Sequence, residues 1–215
     1  MAKQFLRSII LHMKKKNIAP VKVLIAVPTA QYCEGDTFKS IYNLEVPERV
    51  VTQFEFVHGY GIVQARDRIA RFAVENKLDF VLFVDSDVVL PPNLLVELLK
   101  HNTDIATGWY VKKFQRELTE IFIPTFDKKG IKNVREDELK TADLTQISAC
   151  GFGCTLVKVD LFNKVFADGV YFNWVKTELQ EISEDLYFCA KATKAGGKIV
   201  VDPKLRCGHI AKAIL

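Results

Sequence analysis

Long apolar runs are missing from this chain. None of its 215 residues belongs to a stretch approaching the ~18 consecutive apolar residues that a bilayer-crossing helix needs, which argues against a transmembrane span. A secretory leader is not expected either, because the apolar patch Ile9, Ile10, Leu11 is short and runs into Lys14, Lys15 and Lys16. Charge of one sign is not concentrated. With 30 Lys and Arg against 26 Asp and Glu, the net charge of +4 does not point to nucleic acid, which calls for a basic face. Cysteine is sparse and unpatterned: Cys33, Cys150, Cys154, Cys189 and Cys207 are odd in number and match no CxxC or zinc-ribbon spacing. Reduced, partly buried thiols follow, and with no leader they point to a cytoplasmic location. Internal repeats, low-complexity tracts and linkers are lacking too, so the length suits one sizeable domain.

What is present is ordinary globular composition, 49% hydrophobic and 26% charged. Residues 4–16 have helical periodicity, with Phe5, Ile9 and Met13 on one side and lysines at the end. They read either as a helix packed on the domain edge or as a basic amphipathic segment touching a membrane surface. Residues 1–20 are therefore taken as an N-terminal basic amphipathic helix and 21–215 as the domain. The β-branched run 21–27, stopped by Pro28, predicts a buried strand, followed by a short helix within 36–44 and an alternating strand over 52–57. Residues 62–74 form an amphipathic pattern, with Ala65, Ile69, Ala70 and Ala73 among Arg66, Arg68 and Arg71. Phe80–Val84 is a third strand, and Pro91-Pro92 opens a helix carrying Leu94, Leu95, Leu98 and Leu99. This alternation calls for a mostly parallel sheet covered by helices. The second half reads as strands over 105–111, 120–126, 144–150, 155–159 and 198–201, with a turn at 128–130 and an exposed polar stretch over 131–143. A helix over 183–195 is capped by Ser183 and ended by Gly196-Gly197. The expected fold class is α/β, one domain around a central mixed sheet flanked by helices.

The sharpest local signal is the apolar strand Phe80–Val84 running into Asp85-Ser86-Asp87. A strand buried on both faces delivers these carboxylates to the carboxyl edge of the sheet, where open α/β sheets bind ligands. Two hard oxygen ligands suit a divalent cation such as Mg2+ or Mn2+, which usually also holds phosphate oxygens. Asp and Ser are also ordinary turn residues. Three further features stand far apart in the sequence. Gly151-Phe152-Gly153 is either a close approach of backbone to a ligand or a tight bend. Glu184-Asp185 at a helix start is either catalytic or a complement to the helix dipole. His209 is a surface or structural residue unless Asp85 and Asp87 partner it at a metal.

Residues 23–29, Gln64-Ala65-Arg66, the Asp85-Ser86-Asp87 run with Pro91-Pro92, Cys150-Gly151-Phe152-Gly153, Ser183-Glu184-Asp185 and Cys207-Gly208-His209 follow one another in that order. The ordered set resembles glycosyltransferases of the GT-A fold, similar to family 2, across residues 21–210. The resemblance implies a Rossmann-like sheet and a nucleotide-diphosphate sugar as donor, a UDP-sugar first and a GDP-sugar next, with the acceptor unidentified. It implies that Val27, Pro28 and Thr29 contact the base and that Arg66 lies near base or ribose. Asp85 would touch the ribose or a metal-bound water, with Ser86 beside it in the donor site. Asp87 would ligate Mn2+ or Mg2+, His209 would complete the metal or diphosphate shell, and Gly153 would line the donor pocket. Asp185 would be the base of an inverting transfer, with Glu184 as its substitute. In the irregular segment 170–181, Tyr171, Phe172 and Trp174 would stack on a sugar acceptor, with Trp109 and Tyr110 as the opposite wall, or else pack together. Two rivals remain. A haloacid-dehalogenase-type phosphatase also runs a strand into DxD, though on the first strand of its domain. A non-catalytic sugar-nucleotide-binding module would keep the fold without turnover.

Overall fold

The computed structural model describes residues 19–127, 129–140, 143–166, 169–176 and 181–211. The helix expected over residues 4–16, and with it any membrane contact, lies outside the described residues.

The first half follows the predicted alternation: β1 (Val21–Thr29), α1 (Gly35–Tyr42), β2 (Val50–His58), α2 (Ile62–Glu75), β3 (Phe80–Val84), a short β4 (Val88–Val89) and α3 (Leu94–Lys100). The second half is β5 (Ile105–Trp109), β6 (Leu118–Pro124), β7 (Ile131–Arg135), α4 (Glu136–Lys140), β8 (Thr145–Gln146), β9 (Ala149–Cys150), β10 (Cys154–Lys158) and α5 (Val159–Val165). It closes with β11 (Val175–Lys176), β12 (Glu181–Ile182), α6 (Glu184–Lys194), β13 (Ile199–Arg206) and β14 (Gly208–His209).

Seven strands form the central sheet in the order β2-β1-β3-β10-β5-β13-β8. β1 is parallel to β2 and β3, and β13 is parallel to β5, while β10 runs antiparallel between β3 and β5. The carboxyl ends of β1, β3, β5 and β13 therefore share one edge, and the amino end of β10 joins them there. Period-two alternation divides each central strand between two cores. Val23, Ile25, Val27, Leu82 and Val84 face a layer with Ile41 of α1 and the leucines of α3. Leu24, Ala26, Val81 and Phe83 face the other, with Ile69, Ala70 and Ala73 of α2, Phe162 of α5 and Phe188 of α6.

Several boundaries depart from expectation. β1 does not stop at Pro28, because β3 has ended its pairing at Ala26↔Phe83 and a proline is tolerated where one side of a strand is open. β13 likewise runs through Pro203, which falls within the register shift between Val201 and Arg206. Residues 131–140, read as polar and exposed, contain β7 and α4 with Val134 and Leu139 buried. Backbone pairing to β6 does not need apolar side chains at every position. The single strand expected over 144–150 is two, β8 on the rim of the central sheet and β9 in a small sheet with β6 and β7. α5 is an addition to the expected elements; it buries Val159, Leu161, Phe162 and Val165 on one side.

Candidate active site

The loops at the carboxyl edge enclose an open cleft of about 1010 Å³. The wall includes Pro28 and Thr29 at the end of β1, Asp85, Ser86 and Asp87 after β3, Tyr110 and Lys113 after β5, and His209 after β13. Arg66 of α2 and Glu184 and Asp185 of α6 come from two helix N-termini on the same side.

Arg66 is the centre of charge. Its side chain is 2% exposed, with Nη2 donating to Asp85 Oδ1 at 2.8 Å and Nη1 donating to Glu184 Oε1 at 2.5 Å. Asp185 Oδ2 lies 3.9 Å from Nη1, and the guanidinium carbon stands 5.5 Å from the centre of the Phe152 ring. The Phe152 ring in turn packs against Phe83, Phe172 and Phe188. Burial opposes the charge on Arg66, but the surrounding carboxylates of Asp85, Asp185 and Glu184 hold it protonated well beyond the ordinary arginine range. Burial pushes Asp85 and Glu184 up from the usual carboxylate range, against the pull of Arg66. The structure therefore places Arg66 in the floor of the cleft, as an anchor that ties the two acidic motifs together.

Asp87 has cationic company. Lys113 Nζ donates to its Oδ2 at 2.5 Å, and His209 Nε2 lies 3.6 Å from Oδ1. Burial favours the protonated acid, but His209 and Lys113 hold Asp87 below the ordinary value. The β4–β14 pairing sets His209 opposite Val88, and Ile210 N–H donates to the Asp87 carbonyl, so the placement of the histidine is built into the backbone. His209 Nδ1 is 2.8 Å from the Val111 carbonyl and must carry the proton to bond there, which turns Nε2 toward Asp87. Burial lowers the affinity of His209 for a second proton, and Asp87 together with the Val111 carbonyl more than restores it. A carboxylate beside an imidazole whose other nitrogen donates to a carbonyl is donor chemistry that fits a divalent cation. Among the described residues, no three acidic, histidine or cysteine side chains stand close enough together to hold a metal in this arrangement.

Ser183 occupies the N-cap of α6 without capping it. Its hydroxyl donates to Asp185 Oδ1 instead, which also accepts from Leu186 N–H at 2.8 Å. Asp185 is 18% exposed while Glu184, held by Arg66, is 5% exposed. Of the pair, Asp185 is the carboxylate that solvent and ligand reach.

Three expected site residues lie elsewhere. Trp109 is 1% exposed, with Nε1 donating to the Pro203 carbonyl at 2.8 Å; its indole is core, and the next residue, Tyr110, takes the wall. Val27 is fully buried, packed in the layer with Ile41 of α1, and stops short of the edge that Pro28 and Thr29 reach. Gly153 sits under the Tyr110 ring: a Cβ there would meet the phenol oxygen at 2.6 Å, and its N–H donates to that oxygen at 3.2 Å. The glycine pair therefore makes room for a tyrosine, and Gly151 alone of the two reaches the cleft. Tyr171 and Phe172 are also core, leaving Trp174, 45% exposed, as the aromatic of that segment on the cleft. Several cleft residues belong to none of the sequence motifs, Lys113 and Glu120 among them. Glu120 lines the cleft from β6, and burial raises its carboxyl above the ordinary value. Its one signal in the sequence is an acidic side chain in a mostly apolar strand.

This strand order, with acidic motifs gathered at the carboxyl edge, defines a GT-A-like α/β fold. Among solved structures, A197 from STIV superposes with a TM-score of 0.60 at 16% identity, over 89% of this chain and 87% of that one. GalNAc-T7, solved with UDP, GalNAc and Mn2+, superposes with a TM-score of 0.60 at 13% identity, over 90% of this chain and 44% of that one. This chain thus spans less than half of the GalNAc-T7 structure. No family model matches the sequence, and no curated protein does.

Proposed function

We propose that this protein is a glycosyltransferase that moves a sugar from a nucleotide-diphosphate donor to an acceptor hydroxyl with inversion, using a divalent cation. The observation that carries this is the convergence of Asp85, Asp87, Asp185, Arg66 and His209 on one cleft at the carboxyl edge of a GT-A-like sheet. Asp87 and His209 would hold Mn2+ or Mg2+. When bound, such a cation neutralises charge that develops on the leaving diphosphate. Pro28, Thr29 and Ser86 border the part of the cleft nearest β1 and would receive the nucleoside. A UDP-sugar is the first donor to test, in keeping with the UDP in the GalNAc-T7 structure.

Asp185 is the base. It is accessible, it is hydrogen-bonded on one oxygen only among the described residues, and it stands at a helix N-terminus, where negative charge is favoured. It would take the acceptor hydroxyl proton as the oxygen attacks the anomeric carbon, a step worth about 10²–10⁴-fold in rate. Glu184, locked to Arg66, orients that neighbour instead.

The test is a panel of sugar nucleotides with Mn2+ or Mg2+, read by calorimetry and by release of free nucleoside diphosphate. Binding of one donor, with slow metal-dependent release, supports the reading; no binding of any nucleotide diphosphate overturns it. Asp185→Asn should keep donor affinity and lose transfer by about 10²-fold or more, because it removes a group needed only in the transition state. Near wild-type transfer by that variant, or retention of the donor's anomeric configuration, would remove Asp185 as base.

A further inference from the structure

The cleft has a second chamber. A space of about 500 Å³ lined by Gln31, Tyr32, Glu34 and Ile210 abuts the main one, and Thr29, Ser86, Asp87, Lys113 and Phe114 border both. The Lys113–Asp87 ion pair, 2.5 Å long, stands on that shared border. Lys113 belongs to the irregular stretch between β5 and β6, and its neighbour Phe114 is 92% exposed, so no helix or strand fixes the ammonium where it is. The pair is 33% and 27% exposed, open enough for solvent and ions to compete for it.

We propose that Lys113 is the resident counter-ion of the cleft: it occupies the Asp87 carboxylate until a divalent cation takes that carboxylate over, and the released ammonium then binds the donor's diphosphate. The inference rests on the reading of the site as a metal-dependent nucleotide-sugar site. Its chemistry is charge exchange. Lys113 sits on Oδ2 and His209 faces Oδ1, so a cation held by Asp87 and His209 would stand beside the ammonium on one carboxylate, and the two like charges compete for it. An ammonium carries three donors and no acceptor, and phosphate oxygens are the partners it gains when Asp87 is taken. A ligand long enough to span both chambers must cross the place where Lys113 now sits. Metal and diphosphate therefore bind cooperatively, each removing the obstacle to the other.

Calorimetry with Mn2+ alone, UDP alone and UDP with Mn2+ tests this on the full chain. Lys113→Met should bind Mn2+ several-fold more tightly, since its competitor is gone. The same variant should bind UDP in the presence of Mn2+ roughly tenfold to hundredfold more weakly, since a charge-assisted hydrogen bond is lost. The opposite signs are the signature. Lys113→Arg, which keeps the charge, should move both affinities back toward wild type. Unchanged Mn2+ affinity in Lys113→Met, or both affinities falling together, would overturn the proposal. A wild-type protein that binds Mn2+ and UDP with no cooperativity would overturn it too, leaving the broader reading intact. Wild-type protein that binds neither would remove that reading and the proposal with it.

Discussion

Arg66 shows how little of a residue's setting its neighbours in sequence reveal. In the sequence it is one of three arginines on an amphipathic helix, and its burial at 2% exposure could not be told from Arg68 or Arg71. The difference is made by Asp85 and Glu184, which reach it from other elements. Removing one partner of a buried charge cluster leaves the rest uncompensated, so Arg66→Met should destabilise the protein by about 3–5 kcal/mol. A fall in the urea midpoint at unchanged slope is the measurement, and a change within experimental error would contradict the anchoring role. Lysine should not rescue it, because a point charge cannot hold two carboxylates in a fork. Glu120 gives a pH test. Burial raises its carboxyl above the ordinary 4.5 in the folded state, so the native protein binds the proton more tightly than the unfolded chain. Its contribution to stability is therefore full below the unfolded value and is lost as pH rises through the folded one. Glu120→Gln should raise the melting temperature more at about pH 7 than at about pH 4.5. An effect independent of pH would show that the carboxyl is not perturbed.

At the scale of the element, the strands are set by composition and the joins between them by contacts. β3 is so continuously apolar that both its bounds and its central place were readable. The stretch Thr145–Cys150 was not, because the two halves pair with different sheets and neither half carries a pattern of its own. Glycine is equally ambiguous until its surroundings are known. Gly108 lies in β5 where an added Cβ would meet the Leu205 carbonyl oxygen at 2.7 Å, a backbone atom of the adjacent strand β13. Gly108→Ala should therefore cost about 1–3 kcal/mol by forcing β5 and β13 apart. Gly35, at the first turn of α1, has nothing within 4 Å of an added methyl and no positive φ, so Gly35→Ala should be neutral or slightly stabilising. Equal thermal shifts for the two variants would refute the packing argument.

For the whole molecule, the cleft is assembled from the ends of four parallel strands and two helices, so a ligand there bears on the folded state as a unit. A donor nucleotide with Mn2+ at about 100 times its dissociation constant should stabilise the protein by about 2.7 kcal/mol. For a chain of this size that is a rise of roughly 5–10 °C in the melting temperature, reversed by a chelator if the cation is part of the site. A rise that a chelator leaves untouched would argue that nucleotide binding does not need the metal.

The alternation of buried strands and amphipathic helices, the delivery of Asp85 and Asp87 to a sheet edge, and the acidic start of α6 were determined by the sequence alone. Each depends on the order and polarity of adjacent residues, and local propensity and periodicity act within a few residues. Which side chains the cleft brings together was decided only by tertiary structure. Arg66 and Glu184 are 118 residues apart, Lys113 and Asp87 are 26 apart, and Trp109 is core while Tyr110 is wall because of one step in strand alternation. The antiparallel entry of β10 between β3 and β5 fixes the edge at which those residues meet. That choice rests on which surfaces pack with least strain and most burial across the whole fold, a sum that no stretch of sequence carries by itself.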